Sequence, residues 1–157
     1  MRFGSKAVGI AAAVAAAAVF VVGASAGPGG AAQLSVRSSD YGDVLFGPGG
    51  RVVYLFEADH GSKSTCYGAC ARAWPPLLTT GAPLAGTGVK AKLLGTSARR
   101  DGTVQVTYNG HPLYFDNMSS DNMPGEIGCQ HLDIHGGIWL IVKPNGQPNT
   151  ARGKTHE

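Results

Sequence analysis

The sequence predicts a mainly β domain, a β-rich α+β fold of two pseudo-symmetric hairpin-based repeats packed together, with one short helix around residues 65–74. Three observations lead there. Short β-branched and aromatic runs are punctuated by Gly/Pro clusters and an Asn-Gly turn. The order of parts in the first half recurs in the second. A single alanine-rich stretch has helix composition and is closed by Trp74-Pro75-Pro76.

The chain opens with Arg2 and Lys6, then an apolar run from Ala7 to Val22, and Ala24-Ser25-Ala26 supplies the small residues of a cleavage site. Residues 1–26 are therefore expected to be a secretory signal peptide. The apolar run is short of the roughly 20 residues that a membrane helix needs. Cleavage, and no stable membrane insertion afterwards, is the expectation. Taking 26 residues from 157 leaves 131, the size of one compact domain. Losing Arg2 and Lys6 takes 13 basic residues to 11 against 10 acidic, so the formal charge falls from +3 to +1. That balance argues against a nucleic-acid partner, which would need a clustered basic face. The adjacent Arg99-Arg100 pair lies beside an Asp101-Gly102 turn signal and is expected at a solvated hairpin tip.

Residues 27–40 are small and polar and read as a flexible leader. A single domain then spans 41–146, with repeats at about 41–80 and 89–146, and a disordered tail covers 147–157. Asp43–Phe46, the Gly47–Gly50 turn and Arg51–Phe56 form the first hairpin. Ser64 or Thr65 caps the helix that runs to Trp74. Thr79–Gly88 is a loop, and Val89–Leu94 alternates as an edge strand with its lysines outward. Gly102–Tyr108 and His111–Phe115 flank Asn109-Gly110, the strongest local hairpin signal because both turn residues need positive φ. Asp116–Gly137 reads as a long polar loop, and Ile138–Val142 as a buried strand.

The repeats match residue by residue at their landmarks. Tyr54, in Val53-Tyr54-Leu55-Phe56, corresponds to Tyr114, in Pro112-Leu113-Tyr114-Phe115; Cys66 corresponds to Cys129, and Trp74 to Trp139. Two such units are expected to pack their aromatic faces together about an approximate twofold axis, with both tryptophans in the core. A lone hairpin is too small to be stable in water.

Tyr54-Leu55-Phe56-Glu57-Ala58-Asp59 fits a Tyr-x-aromatic-x-x-Asp motif. Together with Ser64–Cys70, Trp74-Pro75-Pro76, Thr107–Tyr114 and Gly136–Trp139 it resembles a bacterial secreted-repeat family, also described as predicted lipoproteins. The resemblance spans essentially the whole mature domain and implies an exported, cell-envelope protein of uncharacterised function. It brings no catalytic residue with it. This chain departs from the pattern twice: it lacks a lipid-bearing cysteine after the apolar run, and Asp116 stands at the aromatic position of the second motif.

Chemistry concentrates in two places. Cys66 and Cys70, four apart, would lie about 6 Å apart on a helix, within disulfide reach. Reduced, they would make a soft thiolate pair suited to Cu(I); in an exported domain a structural disulfide is expected. Met118, Met123, Cys129, His131 and His135 fall within 18 residues of the second loop, a ligand set suited to copper or haem iron. The plainer expectation is a polar loop with its methionines packed under it and Cys129 buried or paired to Cys66 or Cys70. No Gly-x-Ser-x-Gly elbow, phosphate loop or dinucleotide fingerprint occurs. The sequence thus points to an exported, non-enzymatic binding or structural module with an unidentified envelope partner and no resident cofactor. The alternative is a copper- or haem-linked metal-handling or electron-transfer protein built on the 116–137 loop.

Overall fold

The computed structural model describes residues 30–118 and 123–153. The expected signal peptide, residues 1–26, lies outside the described residues. Among the described residues nine strands form three small sheets, with one short α-helix beside them: β1 (Gln33–Ser39), β2 (Gly42–Phe46), β3 (Tyr54–Phe56), α1 (Ala69–Ala73), β4 (Leu84–Ala85), β5 (Leu94–Ala98), β6 (Val104–Tyr108), β7 (His111–Pro112), β8 (Leu132–Ile134) and β9 (Gly137–Ile141). Their orders are β2-β1-β4, β3-β9-β8 and β5-β6-β7.

The expected β-rich duplication is present, and its construction is specific. Tyr54 and Tyr114 exchange both backbone hydrogen bonds, each 2.9 Å, and so mark the pseudo-twofold axis. From that point each repeat sends the segment after its tryptophan across to the other. β9 of the second repeat pairs antiparallel with β3 of the first, setting Phe56 opposite Trp139 and Tyr54 opposite Ile141. Reciprocally, Pro76 of the first repeat lies opposite Tyr114, and Leu78 opposite Gln105. The ladder bonds correspond as well: Leu45 N–H to Val142 O at 2.9 Å has its counterpart in Val106 N–H to Leu77 O at 2.8 Å. Backbone groups that would be orphaned in one repeat are thus satisfied by the other.

Because Val52–Phe56 is apolar without interruption, the centre of the fold is buried on both faces, and successive residues feed different layers. Tyr54 and Phe56 join Val44, Trp74, Tyr114, Trp139 and Ile141 in an aromatic layer with all three cysteines. Val53 and Leu55 join Leu34, Leu45, Leu77, Val106, Leu113 and Leu140 in an aliphatic one.

The structure corrects several boundaries. Gln33–Ser39 is no leader: it pairs along the whole of β2, from Ser35 opposite Phe46 to Ser39 opposite Gly42. Its Ser-rich composition hid the alternation that buries Leu34. The helix begins only at Ala69, because Gly68 before it holds φ +57°, and Trp74 N–H closes it on Cys70 O at 2.7 Å. The expected edge strand over Val89–Leu94 is not formed: Ala91–Leu93 is a single 3-10 turn, and the edge strand β5 starts only at Leu94. The long loop contains the β8–β9 hairpin, turned at His135-Gly136 with φ +60° and +89°. The tail is ordered as far as it is described: Pro148 bridges Val142, and the buried Asn149 donates from Nδ2 to Tyr41 O at 2.9 Å. Residues 154–157 lie outside the described residues.

Candidate functional site

The polar groups nearest the twofold axis define the site. Trp74 and Trp139 stack across the axis at 4.0 Å, and Phe56 continues the stack on Trp139 at 4.1 Å. Tyr54 meets Trp74 edge-on and Tyr114 meets Trp139 edge-on, both at 5.1 Å between centroids. Each tyrosine therefore touches the tryptophan of its own repeat, and its hydroxyl reaches into the other repeat.

The Tyr114 hydroxyl lies 2.7 Å from both Asp59 Oδ2 and Ser64 Oγ. With one proton to give, it donates to the carboxylate and receives from the serine. Asp59 Oδ1 also accepts from Thr65 N–H at 2.7 Å and Thr65 Oγ1 at 3.1 Å. Behind this pair Arg99, only 5% exposed, donates to Ser64 Oγ (2.8 Å), Gln105 Oε1 (2.7 Å) and Cys66 O (2.8 Å). Gln105 completes the chain by donating to Leu113 O at 2.7 Å. The expected solvated tip is thereby corrected for Arg99: the β5–β6 turn folds its guanidinium inward, where it donates to three oxygens. Arg100 alone stays exposed.

Burial, then the charge of Asp59, pushes the Tyr114 hydroxyl far above its ordinary value of 10.0. It remains a donor throughout the physiological range. Asp59 is raised above 3.8 because burial outweighs the bonds from Thr65 and Tyr114 and the attraction of Arg99. A carboxyl group that holds its proton more tightly folded than unfolded stabilises the fold at low pH. That contribution is lost as pH rises from the unfolded value through the folded one. Asp101, fully exposed and lowered by bonds from Thr103, acts in the opposite direction. Comparing Asp59→Asn with wild type isolates the first effect. In urea unfolding followed just above the ordinary carboxylate range, the wild-type stability is expected to fall with rising pH and the variant's to be flatter. Parallel curves would show that Asp59 does not titrate with folding.

On the other side of the axis the second repeat differs. Asp116 stands where Phe56 stands in the first, and it is buried at 1% exposure. Its Oδ2 accepts from Cys129 Sγ at 3.1 Å, and its backbone oxygen accepts from Arg51 Nη2 at 2.6 Å. The Tyr54 hydroxyl accepts from Cys129 N–H at 3.4 Å.

The sequence-predicted residues divide accordingly. Cys66 and Cys70 form the expected disulfide, with Cα atoms 5.3 Å apart. Cys129 carries a buried thiol outside it, so the pairings of Cys129 with Cys66 or Cys70 are not made. Met118 and Met123 are exposed, at 45% and 60%, so the expected packing of methionines under the loop is not made. His131 and His135 hold positive φ at the two ends of β8; His131 Nε2 lies 3.3 Å from Ala151 O. Hairpin geometry thus turns both rings to the surface while Cys129 faces the core. Among the described residues no three His, Cys, Asp or Glu side chains are arranged to hold a metal ion. A thiol reagent in native buffer is expected to leave Cys129 unmodified and to count one thiol per chain after denaturation. Rapid native labelling would contradict its burial.

Asp59, Ser64 and Tyr114 lie in the motif segments of the sequence, but Arg99 and Gln105 do not. Nothing local distinguishes a buried turn arginine from a solvated one.

A family described as a secreted repeat of unknown function matches the chain twice, over residues 35–78 and 95–143. No curated protein and no solved structure matches it. Among the described residues no helix is long and apolar enough to cross a membrane. The two matched segments are the two halves that exchange strands about Tyr54 and Tyr114, and the chain belongs to this secreted-repeat family as a domain made of two of its units.

Proposed function

We propose that the chain is a non-enzymatic binding module of the cell envelope. One observation carries this reading: the motif residues are consumed by the fold. Tyr54, Phe56, Trp74, Tyr114 and Trp139 are buried in the layer between the repeats, and Asp59 is bonded to Thr65 and Tyr114. A carboxylate, a tyrosine and an arginine held in a closed hydrogen-bond chain cement a scaffold; they are not presented to a substrate. Recognition then falls to the loops and turns around that scaffold, the usual arrangement for binding on a rigid β framework.

Purified protein mixed with isolated envelope material is expected to co-sediment saturably and to be displaced by unlabelled protein. Absence of saturable retention would count against the module reading. The copper or haem alternative is decided on the same preparation, made without a histidine tag. A metal found near stoichiometrically, and lost in Cys129→Ala, would replace the present reading.

A further inference from the structure

A groove of about 630 Å³ lies beside the Arg99 network, its walls including Lys63, Thr65, Tyr67, Arg99 and Arg100. Three cations therefore border one cavity. The Arg99 and Arg100 guanidinium carbons lie 4.3 and 4.0 Å from the centroid of the same Tyr67 ring. The Tyr67 hydroxyl is fixed by Arg100 N–H at 3.2 Å. Lys63 sits in a tight turn in which His60 and Lys63 exchange backbone bonds of 3.1 and 3.0 Å.

Arg99 is immobilised by its bonds to Ser64, Gln105 and Cys66 and supplies a fixed positive wall. The nearby carboxylates are engaged elsewhere. Asp59 accepts from Thr65 and Tyr114, and Asp101 from Thr103, with a long 3.5 Å contact to Arg99 Nε. Neither Lys63 nor Arg100 has a carboxylate partner within ion-pair distance among the described residues. Stacking occupies the face of a guanidinium and leaves its N–H edge for an in-plane anion. Arg99 has Asp101 as a counter-ion, but Lys63 and Arg100 bring two further positive charges to the same cavity without one among the described residues, and an anion seated there relieves their repulsion.

We infer that this groove binds phosphate groups of a polyanionic surface polymer, with Lys63 and Arg100 as the gripping residues and Arg99 as the fixed field behind them. The inference rests on the binding-module reading and names its ligand class. A tetrahedral phosphate offers oxygens in several directions and suits a groove whose lining carries the Lys63 and Arg100 cations and Tyr67. A planar carboxylate is satisfied by one arginine fork.

The test is calorimetric titration of the intact domain with poly(glycerol phosphate), with inorganic pyrophosphate and with polygalacturonate, at low and high salt. Poly(glycerol phosphate) is expected to bind and to weaken as salt rises. Lys63→Gln and Arg100→Gln should each weaken it about tenfold. Lys63 is exposed, so the thermal midpoint of Lys63→Gln should match wild type, while Arg100→Gln, which also loses its stack on Tyr67, should fall only slightly and stay fully folded during titration. Pyrophosphate binding that the same variants weaken would support the site with free phosphate as its source. Equal binding of polygalacturonate, no phosphate binding at all, or binding that neither variant changes would overturn the proposal. The module reading fails separately. If both variants co-sediment with envelope material as wild type does, only the groove is wrong; if wild type does not co-sediment, the module reading falls first.

Discussion

Trp139→Ala is expected to lower the unfolding free energy by about 4 kcal/mol, the range typical of emptying an aromatic site in a packed core. Most of a small domain's stability lies within about 5–15 kcal/mol. The variant should therefore lose a large share of its stability and unfold at markedly lower urea concentration than wild type. Trp139 is the ring that the most contacts share: it is stacked by Trp74 and Phe56, met edge-on by Tyr114, and donates from Nε1 to Ile134 O at 3.2 Å. Aromatic pairs contribute about 0.5–1.5 kcal/mol each beyond area burial, so losing three at once compounds the cavity. Urea denaturation monitored by near-ultraviolet circular dichroism measures the effect.

The two tryptophans also separate in a milder test. Trp74 Nε1 is buried without a hydrogen-bond partner among the described residues, whereas Trp139 Nε1 has one. Substitution by phenylalanine shrinks both rings alike. At 139 it additionally breaks a bond worth about 1 kcal/mol; at 74 it removes a buried donor that was costing stability. Trp139→Phe should therefore be clearly the more destabilising. Equal losses would mean that ring volume alone matters at both places.

The same residues show what a reader of the sequence can and cannot see. Tyr54, Trp74, Tyr114 and Trp139 were legible as matched core pairs because their spacing recurs and large apolar rings have one default location. The Asn109-Gly110 hairpin was legible because the turn's backbone demands those residues. The crossover was hidden, since Pro75–Leu78 carries no period that names its partner; only tertiary pairing with the second hairpin makes it extended. Cys129 and His135 illustrate a different failure. Their types suit one metal, but β8 and β9 close a two-residue turn at His135-Gly136 while Cys129 faces Asp116. Ligand composition in a loop carries no direction until the hairpin that directs it is known.

Fragments 30–88 and 89–153, produced separately, are expected to be unfolded alone and to assemble one to one when mixed. The reason is the reciprocal crossing. Without residues 89–153, β3 loses β9, the backbone of Tyr54 loses Tyr114, and the Trp74 ring is bared. Without residues 30–88, β6 loses its bonds to Leu77 and Thr79, and Trp139 loses both of its stacking partners. Neither half keeps enough closed core to offset its chain entropy once its aromatic face is bared. Far-ultraviolet dichroism of each fragment and of the mixture, with sedimentation to give the stoichiometry, reads the outcome. A fragment that unfolds cooperatively by itself would show that the exchange decorates the fold instead of making it. Pseudo-symmetry raises a sharper question, because each half could also pair with a copy of itself. Two copies of 89–153 would set Asp116 against each tryptophan where the native pairing sets Phe56 against Trp139, burying carboxylates at the stack. The hetero-pair should therefore form well below the concentration at which 89–153 self-associates. If that fragment pairs with itself as tightly as with its partner, then the single change from Phe56 to Asp116 between the repeats does not specify their pairing.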